Sequence, residues 1–217
     1  MSGLPDFVVA LQRRLGLNLP GELARGPLSP PHRPILDDVQ IAKRNPFKAA
    51  VLVLLYPEPS GVHPSIALIE RSMGGGVHSG QIALPGGKQE SGESLLGTAL
   101  REAQEEIGVD PTTIHVLGEL TRLYVPPSNF LVNPFVGWVT QKPDFNPNPE
   151  EVSRMISLNL GAFLGEHAVV RSRVSGLNGH QFDVPAFQID DHLIWGATAM
   201  MLAELLHIYG ETRLEVG

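Results

Sequence analysis

Apolar residues recur along the chain with two periods, and their alternation predicts an α/β protein. Phe7, Val8, Leu11 and Leu15 fall at helical spacing between Pro5 and Gly16, predicting an amphipathic helix over 6–15. Residues 19–34 are rich in Pro, Gly and Ser and read as an arm lying along the body. From 48 to 56 the chain is apolar at every position after Lys48 up to Pro57, which suits a strand buried on both faces. Further strands are predicted over 65–71, 81–84, 114–124 and 133–140, a strand and short helix over 152–164, and a hairpin over 168–174 and 182–188. Two more helices are expected. One spans 91–107, with Leu96, Ala99, Leu100, Ala103 and Ile107 as its core face, Ser91 as N-cap and Gly108 as a left-handed stop. The other spans 195–209, with Met201, Leu202, Leu205 and Leu206 facing inward. Without a regular βαβ rhythm, a mixed sheet sandwiched between helices is favoured over a doubly wound parallel one. The expected organisation is a helix and arm over 1–34 and one domain over 35–217.

Composition narrows the setting. The chain of 217 residues has a formal charge of −7, which does not suit a protein that binds nucleic acid by neutralising phosphates. It contains no cysteine, so disulfides and thiolate metal sites are excluded and a cytoplasmic location is expected. No apolar run is long enough to span a bilayer, and the N-terminal residues lack the basic and apolar regions of a secretory signal. Neither a nucleic acid nor a membrane is expected as a partner. The Phe7–Leu11–Leu15 face is expected either to dock on the domain or to mediate association, as in a homodimer.

The chemistry concentrates between Gly87 and Val109. Glu102, Glu105 and Glu106 lie at i, i+3 and i+4 behind the turn Pro85-Gly86-Gly87, with Arg101 beside them. Like charges so placed destabilise a helix by about 0.2–0.5 kcal/mol per pair. An acidic helical face is commonly no more than solvated, whereas a divalent cation held by hard oxygen ligands would offset the repulsion. Mg²⁺ or Mn²⁺ suits such a set. Hydrolysis of a diphosphate needs cations on the anionic oxygens, a water of lowered pKa and a base. Outside this stretch, Arg71 and Ser72 at a strand end offer an anion site, and His78 in the Gly-rich loop offers a phosphate contact or a loop-stabilising hydrogen bond. Glu151, next to Glu150, offers an extra metal ligand or a general base, or belongs to a solvated pair. The eight histidines form no HExxH pattern, and Ser72, Ser79 and Ser128 sit in no GxSxG elbow. Every candidate ligand follows Lys48, so residues 1–34 are expected to be dispensable for chemistry.

Gly87, Glu93, Arg101, Glu102, Glu105, Glu106 and Gly108 match every fixed position of the signature G-x5-E-x7-R-E-U-x-E-E-x-G-U, with Ala103 and Val109 at the apolar positions. The chain therefore resembles the Nudix hydrolases, which implies an α/β/α sandwich and hydrolysis of a nucleoside diphosphate linked to another moiety. By this resemblance Glu105 and Glu106 are principal metal ligands, Glu102 is a ligand or the base, Arg101 orients a carboxylate, and Glu93 assists from the helix start. The carbonyl of Gly86 or Gly87 would complete the coordination shell. The flank from Arg71-Ser72 to Gly80 and Pro85-Gly86-Gly87 is similar to that of the coenzyme A pyrophosphatases, as are Val125-Pro-Pro-Ser-Asn129 and Ile194-Trp-Gly-Ala-Thr-Ala199. Gly76 and Leu84 stand where that pattern has Arg and Phe, and Ile69-Glu70 replaces its Thr-x. Coenzyme A or an acyl or oxidised form is the substrate so implied. ADP-ribose or another dinucleotide is the alternative, and a catalytically silent ligand sensor is a third reading.

Overall fold

The computed structural model describes residues 3–31, 33–58, 62–73, 80–165, 167–175 and 181–216. In chain order the elements are α1 (Asp6–Leu15), α2 (Glu22–Arg25), α3 (Asp38–Ala42), β1 (Phe47–Tyr56), β2 (Ser65–Arg71), β3 (Ile82–Ala83) and β4 (Gly86–Lys88). They continue with α4 (Leu95–Ile107), β5 (His115–Glu119), β6 (Leu123–Val125), β7 (Phe130–Trp138) and β8 (Val152–Asn159). The chain closes with β9 (Val169–Ser175), β10 (Gln181–Ile189), β11 (His192–Trp195) and α5 (Gly196–Val216).

β1 organises the molecule. It pairs parallel with β7 and antiparallel with β2 and β4, so the main sheet is mixed as expected. Its unbroken apolar run follows from burial on both faces. Ala50, Leu52 and Leu54 pack with Ala99, Ala103 and Ile107 of α4, while Val53 and Leu55 join the core that contains Met201 and Leu205 of α5. Each such leucine or valine contributes about 1.5–3 kcal/mol through burial. The result is an α/β/α sandwich, with β9–β10–β11 added as a second, three-stranded sheet.

Several local expectations changed. The 81–88 stretch is not only a short strand and a turn, since Gly86–Lys88 pairs with Ala49–Val51 of β1. The expected strand over 114–124 divides into β5 and β6, β5 having a register shift between Val116 and Gly118. β11 and α3 carried no periodicity long enough to be read. The motif helix starts at Leu95 with Ser94 as its cap, whose side chain accepts from Gly97 N at 3.0 Å. Ser91 and Glu93 lie in the preceding loop instead, because Glu93 is drawn to Glu90 N (2.8 Å) and Arg101 rather than to the helix end. Gly108 adopts the left-handed stop, at φ 71°.

The N-terminal segment is built into the core. Val8 and Leu11 are fully buried, and Phe7 packs edge-on against Trp138 at 5.3 Å and Tyr209 at 6.3 Å. The face offered for dimerisation is thus occupied within the chain. Arg25 and Glu204 form an ion pair with side chains 1% and 0% exposed. Glu204 also accepts from Gly21 N at 3.1 Å and Thr121 Oγ1 at 2.6 Å, and Arg25 donates to the carbonyls of Thr121 and Arg122. Among the described residues, no helix is long and apolar enough to cross a membrane.

Candidate active site

The site forms where α4 crosses β4. Glu102 and Glu106 share one face a turn apart, and both turn toward the Gly86-Gly87 backbone. A Cβ on Gly87 would stand 2.3 Å from Glu102 Oε1, so only glycine admits the carboxylate. Gly86 N donates to Glu106 Oε2 at 2.7 Å. Asn146 N and Asn148 N donate to the carbonyls of Ile107 and Glu106 at 3.0 Å each, tying the 144–151 loop to the end of α4. Ser72 N then donates to Glu151 O at 2.9 Å and Ser72 Oγ to Pro149 O at 3.3 Å. These bonds bring Glu151 to the helix. Glu102, Glu106 and Glu151 each present an oxygen within 4.8 Å of the others.

Electrostatics explains why such a trio suits a cation. Glu106 is completely buried, and burial raises its carboxyl to a pKa of about 7 against the opposing pull of Arg71 and the Gly86 N–H. Arg71 Nη1 lies 3.2 Å from Glu106 Oε1, yet its geometry makes no hydrogen bond, leaving that buried oxygen without a donor among the described residues. Burial likewise raises Glu102, opposed by Arg101. An orphaned buried oxygen among three carboxylates fits a hard divalent ion, whose charge would replace the missing donor.

Arg101 is the hub of the outer ring. It bridges Glu93 through Nε (3.1 Å) and Nη2 (2.9 Å), and its Nη1 reaches Glu102 at 3.1 Å and Glu105 at 2.9 Å. The Arg101 bond, with help from Glu90 N, lowers Glu93 to a pKa of about 2, so Glu93 is a fixed anion that orients the guanidinium. Glu105, its side chain 53% exposed, stands on Arg101 and outside the trio. Arg71 is turned to Glu106, and Ser72 holds the Glu151 loop. His78 lies outside the described residues, as does Gly76. The pinning by Asn146 and Asn148 left no signal in the sequence beyond a Pro- and Asn-rich loop, because its partners are about forty residues away in α4.

Residues 46–168 match the NUDIX domain family, and the chain is a member of the Nudix hydrolases, a pyrophosphatase family. A relative from Photorhabdus laumondii, called uncharacterized Nudix hydrolase NudL, is 32% identical over 206 residues, covering 94% of this chain and 97% of its own length. The NudL of Yersinia enterocolitica is 36% identical over 166 residues, covering 74% and 80%. Among solved structures, the Mycobacterium smegmatis (M. Smegmatis) Nudix hydrolase RenU has the same fold, with a TM-score of 0.52 over 77% of this chain and 86% of that one at 18% identity.

Gly87→Ala is expected to leave the melting temperature near wild type, because the methyl group meets the mobile end of Glu102 rather than backbone. The displaced carboxylate should weaken divalent-ion binding by roughly 10–100-fold, as disturbed metal surroundings do. Calorimetric titration with Mn²⁺ checks this, and unchanged affinity would separate Glu102 from the ion.

Proposed function

We propose that this Nudix hydrolase cleaves the diphosphate of coenzyme A or an acyl or oxidised form of it, giving 3′,5′-ADP and a 4′-phosphopantetheine. The convergence of Glu102, Glu106 and Glu151 within 4.8 Å carries the hydrolytic part of this reading. The Arg71-Ser72 and Gly80–Gly87 flank supports the substrate part. Glu102 and Glu106 would hold Mg²⁺ or Mn²⁺, with a carbonyl of Gly86 or Gly87 nearby and Glu151 beside the ion. The bound ion supplies charge neutralisation at the diphosphate and a water of lowered pKa.

The chain's own groups do the rest. Arg101, fixed by Glu93, keeps Glu102 directed at the Gly87 backbone. Arg71, one-third exposed beside Glu106, would bind a phosphate oxygen. Water attacks one phosphorus, the bridging P–O bond breaks, and the bridging oxygen leaves with the other phosphate. Glu151, the exposed member of the trio, takes the water's proton; Glu102, raised by burial, is the alternative base.

A panel of coenzyme A, dephospho-coenzyme A and ADP-ribose with Mg²⁺ tests the substrate. The highest kcat/KM is expected for coenzyme A, since that ratio reports discrimination in the transition state. Higher efficiency on ADP-ribose would remove the coenzyme A assignment and keep the diphosphatase.

A further inference from the structure

A cavity of about 290 Å³ lies between the arm with the α3 segment that follows it and the β6–β7 hairpin, and the family signature does not include it. We propose that it receives the nucleobase of the substrate. The inference rests on diphosphate hydrolysis at the carboxylate trio and deepens it by placing the base.

Position comes first. Asn133, Ala50 and Gly87 stand side by side across β7, β1 and β4, and Leu131 is two residues before Asn133. With strands about 4.8 Å apart and a rise of about 3.3 Å per residue, Leu131 lies roughly 12 Å from Gly87. That is a distance a nucleotide can span between its phosphate and its base. Alternation puts Leu131 on the face of Phe135, which packs in the α4 core, and hence on the side where Glu102 meets Gly87. Tyr124 pairs with Leu131 across the strands and also lines the cavity.

The lining matches a neutral planar heterocycle better than an anion. Pro34 at the end of the arm, Ile35, and Ile41 of α3 line the cavity together with Tyr124 and Leu131, giving apolar walls. The three arginines present are already matched by carboxylates, which disfavours a bare phosphate. Arg25 pairs with Glu204, Arg33 with Glu22 at 3.1 Å, and Arg122 with Asp38 at 2.7 Å. Donors and acceptors remain for ring nitrogens and an exocyclic amine. Among the described residues Arg25 Nε is buried without a partner, while the exposed Asp38 carboxylate, paired through one oxygen with Arg122, keeps a second oxygen as acceptor. Guanidinium planes also stack on aromatic rings. The buried Arg25–Glu204 pair fixes the arm that forms the wall, a use of buried charge for specificity rather than net stability.

Calorimetric titration of the metal-free protein with adenosine 5′-monophosphate, and with ribose 5-phosphate as the base-free control, tests the proposal. The wild type should bind the nucleotide at millimolar concentration or below and more tightly than the sugar phosphate. Ile41→Trp, which fills the cavity, should weaken nucleotide binding by at least about tenfold while leaving the sugar phosphate unaffected. Arg33→Gln should weaken it in the same sense, and it carries the test alone if the tryptophan variant does not fold. Equal affinity for the two ligands, unchanged nucleotide affinity in a folded variant, or no nucleotide binding by the wild type overturns the base subsite. If neither coenzyme A nor ADP-ribose is turned over while nucleotide binding behaves as expected, the substrate reading falls and the subsite stands.

Discussion

Glu106→Gln is expected to lower turnover on the order of 10³-fold, the scale of losing one fixed electrostatic partner of a reacting phosphate. The amide keeps the shape and can still accept from Gly86 N, so the fold should survive. What is lost is the charge of a fully buried ligand. Stability should separate the variants too. In chelator, Glu106 has a folded-state pKa of about 7, above its unfolded value near 4.5. A raised carboxyl means the folded state holds the proton more tightly, so its contribution is complete below pH about 4.5 and is lost as pH rises through about 7. The ion-free wild type should therefore lose on the order of a few kcal/mol between those limits relative to Glu106→Gln. Mg²⁺ should then raise the melting temperature of the wild type and not of the variant. Near-normal turnover by Glu106→Gln at saturating Mg²⁺ would show that this carboxylate does not hold the ion.

Removal of residues 1–34 should abolish cooperative folding. The deletion uncovers the surface that Val8 and Leu11 bury, and each such side chain contributes about 1.5–3 kcal/mol. It also strands the Glu204 carboxylate in the core, which costs about 3–5 kcal/mol when a buried partner is removed. Domains have only about 5–15 kcal/mol in total. Arg25→Met alone should be strongly destabilising, and the double variant Arg25→Met/Glu204→Leu should recover most of the loss. Thermal melts followed by circular dichroism measure all three. A fragment from Ile35 that melts cooperatively and turns over substrate would restore the separable arm expected from the Pro- and Gly-rich sequence.

The sequence by itself determined the elements whose periodicity is long and whose ends carry turn residues. β1 and β2 were legible because 49–56 and 66–69 are apolar runs bounded by turn or charged residues, and α4 because an apolar stripe ends at a glycine stop. Spacing also placed Glu102 and Glu106 on one face, since a helix fixes neighbours at i and i+4. It could not say which carboxylates meet. Only the tertiary structure separated Glu105, held outward by Arg101, from Glu106, driven into the core beneath Gly86. Glu151 reaches them through main-chain bonds from Asn146, Asn148 and Ser72, groups every residue type carries and no sequence pattern advertises. The depth to which the arm is buried was hidden for a related reason. Its Pro and Gly content marks irregular backbone, which is local, whereas the burial of Arg25 against Glu204 depends on contacts about 180 residues apart. Local backbone preference is written in neighbouring residues, but the position of a charge in the core is decided by what folds over it.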